Sequence, residues 1–164
     1  MQSKIATCLE TISKKHFFIA DDIEQKPAFI KDTNGQFEVI NHTKKDINFL
    51  KIDDCIYTSK DDSRCDCAIF DDKIFCFVEL KTCKRTAWKT HREKSKKQLE
   101  NTILNFKNND IIKNKKLEAY ISYTCTINNK YHKIKKASNS FEIETYFKDV
   151  LNTDLYCNNK KEFK

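Results

Sequence analysis

Apolar positions along the chain repeat with two different periods, and the switches between them predict the elements. In residues 3–15, Ile5, Cys8, Leu9 and Ile12 fall at helical spacing with Lys14 and Lys15 behind them, an amphipathic opening helix expected to cover one face of a sheet. Residues 20–48 hold the only Pro and the only Gly, Pro27 and Gly35, among short apolar runs such as 37–40, so turns and one or two short strands are expected. A strand is expected at 55–58, before the polar break SKDDS at 59–63. Residues 65–70 (CDCAIF) and 74–80 (IFCFVEL) are β-prone runs separated by Asp71, Asp72 and Lys73, the signature of a tight hairpin. The second run is apolar on both faces until its end, as befits a central strand. A helix over 89–106 follows, with Ser95, Leu99, Thr102, Ile103 and Phe106 as its buried stripe and Lys94, Lys97 and Gln98 beside it. Residues 117–127 alternate Leu117, Ala119, Ile121, Tyr123, Cys125 and Ile127 with Glu118, Ser122, Thr124 and Thr126, a strand. Asn139, with Glu142 three residues on, is the expected cap of a last helix whose core face is Ile143, Tyr146, Phe147, Val150 and Leu151. The order predicts an α/β fold with a central mixed sheet flanked by helices.

The hairpin carries the candidate chemistry. With Asp71 and Asp72 as its two turn residues, Phe70 faces Lys73, Asp66 faces Phe77 and Arg64 faces Glu79, which makes Asp66 and Glu79 diagonal neighbours on one face. Diagonal positions are about 7–8 Å apart at the backbone, near enough for two carboxylates to share one hard cation. Lys81, two residues past Glu79, points to the same face, and the carbonyl of Leu80 lies between them as a further metal ligand. Two carboxylates, a carbonyl and an ammonium suit Mg²⁺ or Mn²⁺-dependent phosphodiester hydrolysis, because a bound cation activates water and the ammonium steadies the charge of the transition state.

Composition sharpens this picture. A chain of 164 residues with twelve Phe, six Tyr and one Gly can bury a single core; residues 1–157 are expected to form one domain and 158–164 a frayed polar tail. No apolar run approaches the roughly 18 residues a membrane span needs, and the first residues lack the apolar stretch of a signal peptide, so a cytoplasmic protein with no membrane contact is expected. The eight Cys, without any CxxC pair, read as reduced, small apolar residues rather than a disulfide scaffold or a zinc or iron–sulfur site. Between Lys81 and Lys97 stand eight Lys or Arg against one acid, Glu93. In that stretch Lys84, Arg85, Lys89, Arg92, Lys94 and Lys97 are candidates for contacts to nucleic-acid phosphates. One Gly excludes Gly-rich phosphate loops. His16, His42, His91 and His132 show no ligand spacing, and Trp88 reads first as a helix anchor and second as a base-stacking residue.

Asp66, twelve residues, then Glu79-Leu80-Lys81 at the end of an apolar strand resembles the motif of the PD-(D/E)xK nuclease superfamily, over roughly residues 1–130. The resemblance implies a restriction-endonuclease-like core of order αβββαβ, here with a C-terminal helix added. It implies Asp66 and Glu79 as metal ligands, Lys81 as catalytic cation and, as in RecB-like nucleases, Gln98 on the following helix as a helper. The family's Pro before the Asp is Cys65 here, and Glu10, the counterpart of a first-helix Glu, projects away from the apolar stripe and is expected to stay out of the site. DNA ahead of RNA as substrate, a homodimer or recruitment by a larger complex, and a role in restriction, defence, repair or junction resolution are implied by resemblance. A different class of function, a non-catalytic module of the same fold that binds nucleic acid or a protein, shares every one of these sequence features.

Overall fold

The computed structural model describes residues 2–22, 27–58, 61 and 63–164. Its elements in chain order are α1 (Gln2–Cys8), β1 (Leu9–Ile12), β2 (His16–Ala20), β3 (Phe29–Lys31), β4 (Phe37–Asn41), β5 (Ile47–Lys51), β6 (Cys67–Phe70), β7 (Ile74–Thr82), α2 (Trp88–Asn108), β8 (Lys116–Ile127), β9 (Lys130–Lys133), α3 (Phe141–Asp149), β10 (Asp154–Cys157) and β11 (Lys160–Phe163). The main sheet runs β1-β5-β6-β7-β8-β10, with β9 paired to the far half of β8; the second runs β11-β4-β2-β3. The main sheet is mixed: β7 pairs parallel to β8 and antiparallel to β6. The class is therefore α/β.

Side-chain alternation sorts the core into two layers on either side of the main sheet. Leu50, Ala68, Phe75, Phe77, Ala119 and Ile121 face one way and meet Leu99, Ile103 and Phe106 of α2 and Ile143 and Phe147 of α3. Phe49, Cys67, Ile69, Cys76, Val78 and Tyr120 face the other way and meet Phe17, Ile19, Phe37, Val39 and Phe163 of the second sheet. β7 is thus covered on both faces, as its unbroken apolar run requires. The stripe expected on α2 is buried in full.

Several expectations are corrected. The opening helix stops at Cys8, and Leu9 and Ile12 belong to β1, where Leu9 pairs with Leu50 and Ile12 with Ile47; a partner strand outweighs helical spacing over so short a segment. Residues 53–56 form a turn, not a strand, and the strand before the hairpin is β5. The break at 59–63 lies largely outside the described residues. Ser140, not Asn139, caps α3, its hydroxyl accepting from the Ile143 amide at 3.4 Å, and Val150 just past the helix is exposed. The polar C-terminal residues do not fray, because Lys161 and Phe163 point inward while β11 pairs parallel to β4. β9 follows a two-residue turn, Asn128-Asn129, whose φ angles of 49° and 58° Asn tolerates better than most residues.

The cysteines are also corrected. Cys8 and Cys55 come within 5.9 Å at their Cα atoms and are disulfide-bonded, tying the end of α1 to the turn after β5; the other six are free. Denatured without reductant, the chain should expose six reactive thiols, and eight after reduction. Cys8→Ser should lower stability by about 3–4 kcal/mol, as expected when a cross-link across 47 residues is lost, read as a shift in urea midpoint.

Gly35 sits where a Cβ would lie 2.5 Å from Phe18 Cβ and 2.7 Å from the Ile19 carbonyl oxygen. Gly35→Ala should therefore cost about 1–3 kcal/mol by forcing β2 away from the turn, measurable by the same urea titration.

Candidate active site

The β6–β7 turn is built by Asp71, whose Oδ1 accepts from the amides of Lys73 and Ile74, both at 2.8 Å. The turn residues are Asp72 and Lys73 rather than Asp71 and Asp72, and the register moves with them: Phe70 faces Phe75 and Cys67 faces Val78. Extending that ladder by one residue sets Asp66 directly opposite Glu79, closer than the diagonal arrangement expected from sequence.

Both carboxylates lie on the α2 side of the sheet. Glu79 is 0% exposed and Asp66 7%. Asp66 Oδ2 accepts from the Leu80 amide at 2.5 Å, and the Asp66 carbonyl accepts from the amides of Ile52 and Asp53 at 3.0 and 3.2 Å. Lys81 Nζ approaches Glu79 Oε1 to 2.9 Å, an ion-pair distance, yet neither Glu79 oxygen has an aligned hydrogen-bond donor among the described residues. The N–H and C=O of one residue in an extended strand point to the same side, so the Leu80 carbonyl emerges toward Asp66, where β6 has already ended.

The electrostatics reflect crowding. Burial, then the charges of Glu79 and Asp21, push the Asp66 carboxyl well above the usual range, against the Leu80 amide and Lys81. Burial likewise pushes Glu79 up to about 7, opposed chiefly by Lys81. Burial works against the Lys81 charge, but Glu79, Asp66 and Asp21 more than offset it and hold the ammonium above its ordinary value. An unexposed carboxylate without a donor is costly, and a cation at this point would relieve that cost. Among the described residues no three His, Cys, Asp or Glu side chains converge as a metal cage. The fit is instead to a hard cation that keeps part of its water and takes one or two carboxylates and a carbonyl, as Mg²⁺ does.

The other candidates divide. Gln98 is buried beside the site, its Nε2 donating to the Arg64 carbonyl at 2.9 Å and its Oε1 without a partner among the described residues. Lys94 is exposed one turn earlier on α2, and its charge acts on Glu79. Lys84, Arg85 and Lys89 are exposed on and just after the β7–α2 connection, Lys97 is drawn to Glu100 at 3.4 Å, and the Nε of Arg92 is buried. Trp88 is buried against Tyr123, ring centroids 5.9 Å apart, as an anchor. Glu10 faces Phe49 on the opposite side of the sheet and pairs with Lys51, so it stays outside the cluster. Asp21, Asp53 and Gln36 carried no motif, but they end or border strands that the fold brings here. Asp21 raises Asp66 and Asp53 raises Glu79, while Gln36 accepts from the Asp21 amide at 2.6 Å and donates to the Thr82 hydroxyl at 2.9 Å.

The fold favours protonated Glu79, since its carboxyl is raised on folding. That contribution is complete below about 4.5, the unfolded value, and is lost as pH rises through about 7. Wild-type stability should fall between pH 5 and pH 8 by as much as about 3 kcal/mol from this group. Glu79→Gln should shrink the fall and be the more stable protein at pH 8; urea midpoints at the two pH values that drop equally in both proteins would show Glu79 to be ionised throughout. Compared with known proteins, the chain matches no family model, no curated sequence and no solved structure, so the geometry of this site is the ground for a functional reading.

Proposed function

We propose that the protein is a divalent-metal-dependent nuclease of the PD-(D/E)xK kind, hydrolysing phosphodiester bonds in nucleic acid, DNA ahead of RNA. The observation that carries this reading is the pairing of Asp66 and Glu79 on one face, with Lys81 beside Glu79 and, among the described residues, no donor aligned on either Glu79 oxygen. Buried carboxylate oxygens normally have donors aligned on them, and among the described residues neither Glu79 oxygen has one. The αβββαβ order, read through α1, β1, β5, β6, β7, α2 and β8 with one extra strand, is compatible with a restriction-endonuclease-like core, and the second sheet is an addition to it.

Asp66, Glu79 and the Leu80 carbonyl would hold Mg²⁺ or Mn²⁺, which when bound supplies an activated water and neutralises phosphate charge. Lys81 is the part of the cluster that reaches solvent, its side chain 19% exposed against 0% for Glu79. It therefore meets the phosphate first, and its ammonium donates to a non-bridging oxygen as negative charge grows there. Glu79 keeps Lys81 charged and aimed. Asp66, tied to the Leu80 amide, keeps the strand end in register. Gln98 braces the chain just before Asp66 through the Arg64 carbonyl. Exposed Lys84, Arg85, Lys89 and Lys94 would receive the backbone on either side, which positions a strand without reading its sequence.

Cleavage of supercoiled, linear and single-stranded DNA, with RNA alongside, should require Mg²⁺ or Mn²⁺ and stop in EDTA. Asp66→Ala and Lys81→Ala should each reduce the rate by at least about a hundredfold, as loss of a transition-state contact does, with oligonucleotide binding in EDTA little changed. Metal-independent activity, or full activity in either variant, would sink the reading.

A further inference from the structure

The chain returns to the neighbourhood of Lys81 after β9. Tyr123 pairs with Lys81 across the β7–β8 ladder, and its carbonyl accepts from the Ile134 amide at 3.0 Å. The Ile134 side chain is buried in the helix-side core, on the face that carries Asp66 and Glu79. This anchor sets Lys133, Lys135 and Lys136 around a cavity of about 310 Å³, closed from the other side by Arg85 of the β7–α2 connection.

The cavity is lined by four cations and one Ile, with no acid. Arg85 Nε points at Cys125 Sγ, 3.5 Å away, and Lys133 Nζ donates to the Asn158 amide oxygen at 3.1 Å. Both partners are neutral, and among the described residues none of the four cations has an acidic partner. Elsewhere in this chain lysines next to acids pair with them, as Lys45 does with Asp72 and Lys148 with Asp154. Four unneutralised cations around a concavity repel one another and focus a positive field, an arrangement relieved by a bound anion. Its volume, at the small end of ligand sites, suits one phosphate with its sugar. Lys84 is exposed beside Arg85, and Lys89 and Lys94 are exposed on the first turns of α2, which follows the same connection.

We propose that this cavity holds a backbone phosphate of the nucleic-acid strand at a position flanking the phosphate presented to Lys81, with Arg85, Lys133, Lys135 and Lys136 as its ligands. The proposal rests on the nuclease reading for its choice of polymer, but it concerns binding and is tested without cleavage.

The test is fluorescence anisotropy of a labelled oligonucleotide of about 20 residues, single-stranded and duplex, in EDTA across a salt series. Three proteins are compared: wild type, Lys135→Gln/Lys136→Gln, and a control of equal charge change at the other end of the sheet, Lys44→Gln/Lys73→Gln. All four lysines are exposed, so folding is preserved. The cavity variant should bind about tenfold more weakly near 100 mM salt, with a log–log salt slope shallower by about 1.4–1.8, two contacts' worth; the control should stay within about twofold. Equal weakening in both variants, or none in the cavity variant, overturns the proposal. Titration with inorganic pyrophosphate separates the sources of phosphate: pyrophosphate binding lost in the cavity variant, with no oligonucleotide binding by wild type, overturns it in favour of a small phosphorylated ligand. Cavity-dependent oligonucleotide binding by a wild type that cuts nothing in Mg²⁺ or Mn²⁺ supports the cavity and removes the nuclease.

Discussion

Two hydrogen bonds to one carboxylate, from the Lys73 and Ile74 amides to Asp71, set the register on which the candidate site depends. They make Asp72 and Lys73 the turn, which brings Phe70 opposite Phe75 and Asp66 opposite Glu79. A slip of one residue would carry Asp66 to the other face of the sheet, against the second sheet rather than α2. The register is held by packing as well: Phe70 stacks on Phe75 at 4.7 Å, and Phe75 and Phe77 meet Phe106 edge-on. The same aromatic cluster that stabilises the hairpin therefore places the carboxylates.

Charge burial is handled in two ways on the two faces of the main sheet. On the second-sheet side, Glu118 is almost fully buried, yet hydrogen bonds from Lys161 at 2.5 Å, Tyr120 at 2.7 Å and Lys116 at 3.1 Å more than offset burial and hold its carboxyl below the usual range. That network is satisfied and joins β11 to β8, a structural arrangement. On the helix side, Glu79 is fully buried, its carboxyl is raised, and among the described residues neither of its oxygens has an aligned donor. One chain thus contains a buried carboxylate completed by its own side chains and another that, among the described residues, has no aligned donor. The contrast supports assigning chemistry to the second.

The second sheet explains the polar face of β8. Alternation along that strand marks Glu118, Ser122 and Thr124 as a solvent side, yet all three are buried. Ser122 donates to the Gln36 carbonyl at 2.6 Å, and Thr124 meets its β7 neighbour Thr82 at 3.0 Å, whose hydroxyl in turn accepts from Gln36, so a polar surface faces the second sheet. The close approach at Gly35 permits it, because any side chain there would push β2 outward and with it Gln36, which borders the site.

Strong local periodicity was enough for some elements: the both-faces apolar run of β7, the stripe of α2 and the alternation of β8 each bury many side chains, so few arrangements satisfy them. The spacing of Asp66, Glu79 and Lys81 was legible for the same reason, since strand period puts Glu79 and Lys81 on one face whatever their partner. What lay beyond the sequence depended on distant segments. The hairpin register turned on a side-chain hydrogen bond within the turn; β1 and β11 formed because partner strands outweighed weak or polar local patterns; Cys8 met Cys55 only after α1 packed beside the turn following β5. Asp21, Asp53 and the cavity of Arg85, Lys133, Lys135 and Lys136 belong to this second group. Their residues are far apart in the chain, and side-chain type carries no record of which loops tertiary contacts bring together.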